Sequence, residues 1–188
     1  HKAIILRMKP EQHNAEIFSG HSQMHFIMRG FPWSNIYLDA PNTWPPSLRT
    51  IAAFMLDAKF PMCIALGHEL RLVCNDAYIH MLDQKHPEAF GARLSDVWAE
   101  IWPQLEPIIK QAQAGNSSYL KNMPMDIVRR SHPGRSWVTF ACSPVRDDKE
   151  KVVGVICICN ETTDQMLTEQ RHIFQLNLTD RLRQLSEP

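Results

Sequence analysis

Apolar positions between residues 134 and 163 fall into two runs, Trp-Val-Thr-Phe-Ala-Cys at 137–142 and Val-Val-Gly-Val-Ile-Cys-Ile-Cys at 152–159, with a charged stretch at 146–151 between them. Runs rich in β-branched and aromatic residues, joined by a short polar connection, predict an antiparallel hairpin. Side chains alternate along a strand, so Val138, Phe140 and Cys142 share one face of the first run, while Trp137, Thr139, Ala141 and Ser143 share the other. The second run is apolar on both faces, with Gly154, Ile156 and Ile158 on one and Val153, Val155, Cys157 and Cys159 on the other. A strand of that kind belongs in the middle of a sheet covered on both sides. The hairpin is expected to supply the middle and the border of that sheet.

The pattern elsewhere changes between helical and extended spacing. Residues 1–20 are mixed and predict loose or partner-dependent structure. Ser22 as N-cap and Gly30 as stop bracket a short helix with Met24, Ile27 and Met28 on one face. Residues 31–46, rich in proline and aromatics, predict an ordered surface loop. Pro46 suits the first turn of a helix carrying Leu48, Ile51, Ala52, Met55 and Leu56, which ends before Pro61. Strands follow at 62–66 and 70–74 around a tight turn, and Asn75 is placed to cap a helix through Met81. A helix from Ser95 carries Val97, Trp98, Ile101, Leu105, Ile108 and Ile109, and Pro103 and Pro107 should divide it in two. Residues 119–130 predict a third strand, with Pro124 at a bulge or edge. The hairpin brings the total to five.

From Thr163 a polar helix carries Leu167, Phe174, Leu178, Leu182 and Leu185, a narrow stripe of the coiled-coil type. It either pairs with a partner helix or folds back on its own domain. The expected organisation is an N-terminal extension with a short helix at 1–45, a domain at 46–163 with its core at 62–163, and a C-terminal linker helix at 164–188. The fold class is α+β: a five-stranded antiparallel sheet with short helices on one face, an N-terminal amphipathic helix and a long C-terminal helix.

Composition narrows the function classes. The chain has 188 residues, 44% hydrophobic, which suits one domain with flanking elements. Lysine plus arginine equals aspartate plus glutamate, 20 against 20, so no global field favours a nucleic-acid partner. No apolar run approaches the roughly 18–20 residues that cross a bilayer, and no signal-peptide pattern opens the chain, so no membrane partner and a cytoplasmic setting are expected. The first residue is His1 rather than methionine, which leads us to expect an excised part of a longer protein.

The five cysteines, Cys63, Cys74, Cys142, Cys157 and Cys159, lie in apolar segments and predict buried free thiols. Cys157 and Cys159 sit on one strand face, where they could bind a metal or sense oxidants, but zinc-site spacings are absent. Of the nine histidines, His21, His68, His86 and His132 fall in loops or at helix ends, where solvation is expected; His25 and His80 fall on helices, without an obvious carboxylate partner. No Ser-His-Asp arrangement, paired carboxylates or glycine-rich phosphate loop appears, so no catalytic site is expected here.

Several short stretches resemble those of PAS domains. Asn75-Asp-Ala-Tyr is similar to the family's Asn-x-Ala-Phe at its first inner helix, and Gly91-Ala-Arg-Leu to its Gly-x-x-Leu before the long helix. Ser143-Pro-Val-Arg-Asp resembles the Pro-Ile/Val-x-Asp that ends the fourth strand, and Asn160-Glu-Thr the closing Asp-Ile-Thr, with asparagine in place of aspartate. Trp44-Pro-Pro-Ser-Leu-Arg-Thr looks like a segment preceding PAS domains in a group of bacterial sensor histidine kinases.

The resemblance implies a cytoplasmic input module that passes a signal through its terminal helix to a downstream effector in the same chain, a histidine kinase. It implies a cavity between the inner sheet face and the long helix, lined by Trp98, Ile101, Trp102, Val138, Phe140, Cys142, Ile156 and Ile158. Such a lining suits a small apolar or aromatic molecule, or else these side chains simply fill the core. Residues 93–98 lack the Asn-Cys-Arg-Phe-Leu-Gln motif of light-sensing relatives, and residues 95–114 carry no histidine for haem, so flavin and haem are not expected. The other sheet face, expected to carry Trp137, Thr139, Ala141, Cys157 and Cys159, is too apolar for water and must be covered by the helix from Ser22 or by a second copy. The expected assembly is a parallel homodimer through the flanking helices. The alternatives are a protein-interaction and dimerisation domain with a filled core, and a small-molecule enzyme of similar α+β form.

Overall fold

The structure is a computed structural model that describes residues 18–36, 40–127 and 135–186. Helix α1 spans Gln23–Gly30 and α2 spans Pro46–Asp57. The hairpin β1 (Met62–Leu66) and β2 (Arg71–Cys74) follows. Then come a 3-10 turn at Asp76–Tyr78, α3 (Ile79–Leu82), α4 (Leu94–Val97) and α5 (Trp102–Gln113). Strands β3 (Ser118–Met125), β4 (Ser136–Arg146) and β5 (Val152–Glu161) complete the sheet, and α6 (Thr163–Ser186) ends the description.

The five strands lie in the order β2-β1-β5-β4-β3, and every neighbouring pair is antiparallel. The doubly apolar β5 is the middle strand, as its composition requires. The expected border position of β4 is corrected: β3 pairs with its free side, so the borders are β2 and β3. Pro124, which cannot donate to a ladder, lies on that border strand opposite Trp137, and the register shifts between Leu120 and Met123, where Asn122 has a φ of 50°. The expected continuation of β3 over 128–130 lies outside the described residues.

The helix expected from Ser95 is in two pieces, and the break precedes Pro103 rather than falling at Pro107, which sits inside α5. The α4 cap position is Arg93, not Ser95. Helix α5 contacts β3, β4 and β5, closing one side of the sheet. Helix α2 contacts β1 and β4, and Met62, Ile64 and Leu66, which alternate with Cys63, are all buried. Helix α2 therefore lies along the sheet.

Two long-range devices hold α1 and the loop that follows it. Ser22 makes no side-chain cap for α1. The Asp76 carboxylate does so instead, accepting from the amides of Gln23 at 3.1 Å and Met24 at 2.9 Å, and from Ser22 Oγ at 2.8 Å. Around the loop after α1, Trp33 stacks edge-on against Trp44 at 5.3 Å, Phe31 against Phe90 at 4.9 Å, and Trp33 Nε1 donates to the Met28 carbonyl at 3.1 Å. Edge-to-face pairs of this kind fix relative orientation as well as burying area.

Helix α6 leaves the domain. Met166 and Leu167 are half-buried against it, but residues 168–179 are exposed, including Phe174 at 67% and Leu178 at 47%. It does not fold back over the described part of its length, and the side chains of Leu182 and Leu185 lie outside the description.

Candidate functional site

Pairing register decides what faces the interior. Directly opposed residues in an antiparallel pair point to the same face. Cys142 opposes Cys157, Phe140 opposes Cys159, and Cys63 opposes Cys157. The face bearing Val138, Phe140 and Cys142 therefore continues through Cys157 and Cys159 on β5. Ile158 opposes Ala141 and Ile156 opposes Ser143, on the other face. The expected inward placement of Ile156 and Ile158 is corrected: Ile158 is 42% exposed and Ile156 half-buried, while the two cysteines expected outside are buried. Trp102, at the start of α5, is half-buried and does not line the cavity.

The cavity lies between this face and the helices α3, α4 and α5. Cys63, Val138, Phe140, Cys142, Cys157 and Cys159 form its floor, and Tyr78, Met81, Leu94, Trp98, Ile101, Leu105 and Ile109 its roof, with Met125 and Ile127 at one side. Of the eight residues expected there, the structure brings together Trp98, Ile101, Val138, Phe140 and Cys142. The side chains nearly fill the space, leaving a void of about 40 Å³. That is room for a few water-sized atoms and far below the several hundred Å³ of a usual small-molecule site.

The lining is apolar apart from thiols and one phenol. Tyr78 Oη accepts from Trp98 Nε1 at 3.1 Å, and burial pushes the Tyr78 phenol well above its ordinary range, so it stays protonated. Lys85 lies over the Trp98 ring at 4.3 Å and donates to the Val97 carbonyl at 2.6 Å, which closes the end of α4 and holds the indole in place. The Cys157 thiol is pushed well up by its hydrogen bonds with Cys142 and Cys63, with burial added; burial does the same to Cys159 and Cys74. Neutral thiols suit an apolar chamber. Among the described residues no group of three or more potential ligands is arranged to hold a metal.

Sequence reasoning missed a second cluster. His25 is buried, its Nδ1 is 2.8 Å from Ser22 Oγ, and its Nε2 is 3.5 Å from Asp57 Oδ1. The resulting Ser-His-Asp contact ties α1 to α2, but Ser22 gives its proton to Asp76. The serine is thus committed to an anchor rather than poised as a nucleophile. No sequence signal announced Asp57 as the partner, since it lies 32 residues from His25. His80 is exposed, and His86, expected on the surface, is half-buried beside Gln23.

The junction with α6 is the other built feature. One residue, Thr162, separates β5 from the helix. Its amide donates to the Trp137 carbonyl at 2.8 Å, its hydroxyl to Asn122 Oδ1 at 2.9 Å, and the Trp137 amide donates to Thr163 Oγ1 at 3.1 Å. The first turn of α6 is thereby fixed to β4 and β3, the strands that floor and flank the cavity.

Several solved structures are similar to the chain. A structure of an RNA-binding light-oxygen-voltage receptor is 20% identical, over 71% of this chain and 38% of that one, with a TM-score of 0.50. The PAS domain of a protein from Colwellia psychrerythraea is 14% identical, over 62% of this chain and 98% of its own, with a TM-score of 0.46. A LOV protein of Rhodobacter sphaeroides is 12% identical, over 61% and 66%, with a TM-score of 0.48. The chain thus spans well under half the length of the light-oxygen-voltage receptor. No family model and no curated protein matches the sequence. The likeness to the first structure shows the fold, and the chain has the α+β PAS architecture.

Proposed function

We propose that this PAS-fold chain is the cytoplasmic sensory input module of a bacterial signal-transduction protein, a two-component sensor histidine kinase, and that it relays its signal through α6 to an effector in the same chain. The observation that carries this reading is the pinned junction. Thr162 and Thr163 bond to Trp137 on β4, and Cys142 of the same strand lines the cavity. A shift of β4 against β5 within the core is transmitted to the first turn of α6 without any flexible segment between. The exposed Phe174 and Leu178 suit a parallel pairing of two α6 helices, the form in which a rotation or slide of the first turn reaches a downstream domain.

Two observations favour a reading without flavin: Leu94–Val97 carries no cysteine, and the void of about 40 Å³ would have to open by side-chain movement to admit an isoalloxazine ring. A small apolar ligand is compatible with the lining only if side chains move. The same near-filled core favours the second reading, a ligand-free interaction and dimerisation domain. Native mass spectrometry of the purified chain separates the two: a retained mass supports sensing by ligand, and a bare chain supports the interaction domain. Incubating the full-length parent protein with ATP and assaying acid-labile phosphohistidine tests the kinase assignment; none formed would remove it.

A further inference from the structure

Four of the five cysteines stand on one line across the sheet. Cys74 on β2 opposes Cys63 on β1, Cys63 opposes Cys157 on β5, and Cys157 opposes Cys142 on β4. All four are free and buried, and three of them, with Cys159, line the cavity. A straight row of this kind does not converge on a point, which is why it builds no tetrahedral metal site. It does place thiols side by side.

We propose that Cys142 and Cys157 are a disulfide-forming pair that traps a small, neutral two-electron oxidant of the peroxide class. Directly opposed antiparallel residues have Cα atoms about 4.5–5.5 Å apart, inside the roughly 4.4–6.8 Å that a disulfide spans. The two Sγ atoms are already 2.9 Å apart. Bond formation at about 2.05 Å requires a closure of about 1 Å, within the reach of side-chain rotation. Cys63 also hydrogen-bonds Cys157, but the 2.9 Å approach is to Cys142, and this favours Cys142 as the partner.

The chamber sets the class of oxidant. Cys142 and Cys157 are 1% and 7% exposed, so a protein or glutathione disulfide cannot reach their sulfurs in the folded chain. The void of about 40 Å³ holds a molecule of a few heavy atoms, and its apolar lining excludes charged ones. Hydrogen peroxide meets both conditions.

The chemistry balances without a further reactant. Cys157 Sγ attacks one peroxide oxygen, the O–O bond breaks, and the thiol proton leaves with the departing hydroxide as water, giving a sulfenic acid. Cys142 Sγ then attacks Cys157 Sγ, the S–O bond breaks, and the Cys142 proton leaves with that oxygen as a second water. Two thiols lose two electrons, and the peroxide gains them. Because the Cys157 thiol is held protonated, the first step is slow compared with that of an exposed thiolate. The second is fast because its partner is in contact. The bond would clamp β4, which fastens the first turn of α6, to β5, which leads into it, although the pair rests on register and distance whether or not the chain is a sensor.

The test uses the full chain as folded. It is treated with hydrogen peroxide, unfolded in guanidinium with N-ethylmaleimide, and analysed by intact mass and peptide mapping. The expected result is that only three of the five thiols are alkylated, so that the intact mass falls short of the fully alkylated chain by two maleimide adducts and the two hydrogens lost, with a bridged peptide joining Cys142 to Cys157. Cys63→Ser should keep the bridge, and Cys142→Ser should abolish it and leave Cys157 reactive to dimedone. Five unreacted thiols, a bridge from Cys157 to Cys63, a bridge between chains, or oxidation only after unfolding would each overturn the proposal. Should Cys142→Ser fail to fold, the peptide map of the unmutated chain decides alone.

Discussion

The backbone amide of Trp137 donates to the hydroxyl of Thr163 at 3.1 Å, so the first residue of the terminal helix is fastened to the strand beside the central one. Thr163 is 3% exposed, and no water can take over that bond without a rearrangement. Thr163→Val keeps the shape and removes the acceptor. It should cost about 1–3 kcal/mol, the penalty for an unsatisfied buried donor, measured by urea unfolding, with faster hydrogen exchange at the Trp137 amide. Unchanged exchange there would mean that the hydroxyl does not hold the junction.

Asn75 is 0% exposed and uses its whole side chain. Its Oδ1 accepts from the amides of Met62 at 3.1 Å and Tyr78 at 3.0 Å, and its Nδ2 donates to the carbonyls of Ala58 at 3.0 Å and Phe60 at 2.7 Å. Asn75→Ala is expected to cost about 3 kcal/mol or more, since several backbone groups lose a buried partner together. Asn75→Asp should be no better, because a carboxylate cannot donate to the two carbonyls. Chemical denaturation of both variants is the check.

The face assignment on β5 predicts opposite outcomes for neighbours. Ile158→Thr, on the partly exposed face, should change stability by about 0.5 kcal/mol or less. Phe140→Ala, on the cavity floor, should cost about 3–5 kcal/mol. Comparable losses at both positions would contradict the register.

Stability should fall on mild acidification. Burial holds the His25 imidazole below its ordinary 6.5, with Arg29 and His21 adding to the effect and Asp57 and Asp76 opposing it; burial lowers His86 in the same direction. The unfolded chain therefore takes up these protons first, and the contribution is fully present above about pH 6.5 and lost as pH falls through the lower folded values. Asp76, lowered by its bonds to Met24, Ser22 and Gln23 despite burial, and Glu69, lowered by Arg71 and Arg93, act the same way at lower pH, below their ordinary values of 3.8 and 4.5. Melting temperature against pH should show two descending regions. The upper one should shrink in His25→Gln, and a flat profile between pH 7 and 5 in the parent chain would refute the histidine contribution.

Self-association through α6 predicts dimers in sedimentation that Phe174→Ser with Leu178→Ser converts to folded monomers, because both side chains are exposed on the single chain, with any fall in melting temperature dependent on protein concentration. A parent chain that sediments as a monomer at high concentration would remove this assembly.

Local composition determined much of the chain by itself. The five strands and their order along the chain, the proline-started α2, the division of the inner helix and the capping role of Asn75 all follow from spacing and residue type within about a dozen positions. Tertiary structure decided the rest, because the deciding partners are distant. Asp76 caps a helix more than fifty residues upstream, and Asp57 reaches His25 across two helices. Most plainly, a strand apolar on both sides has no polar edge to say which way it faces. Only its pairing with Cys142 and Cys63 turned Cys157 inward and Ile158 out.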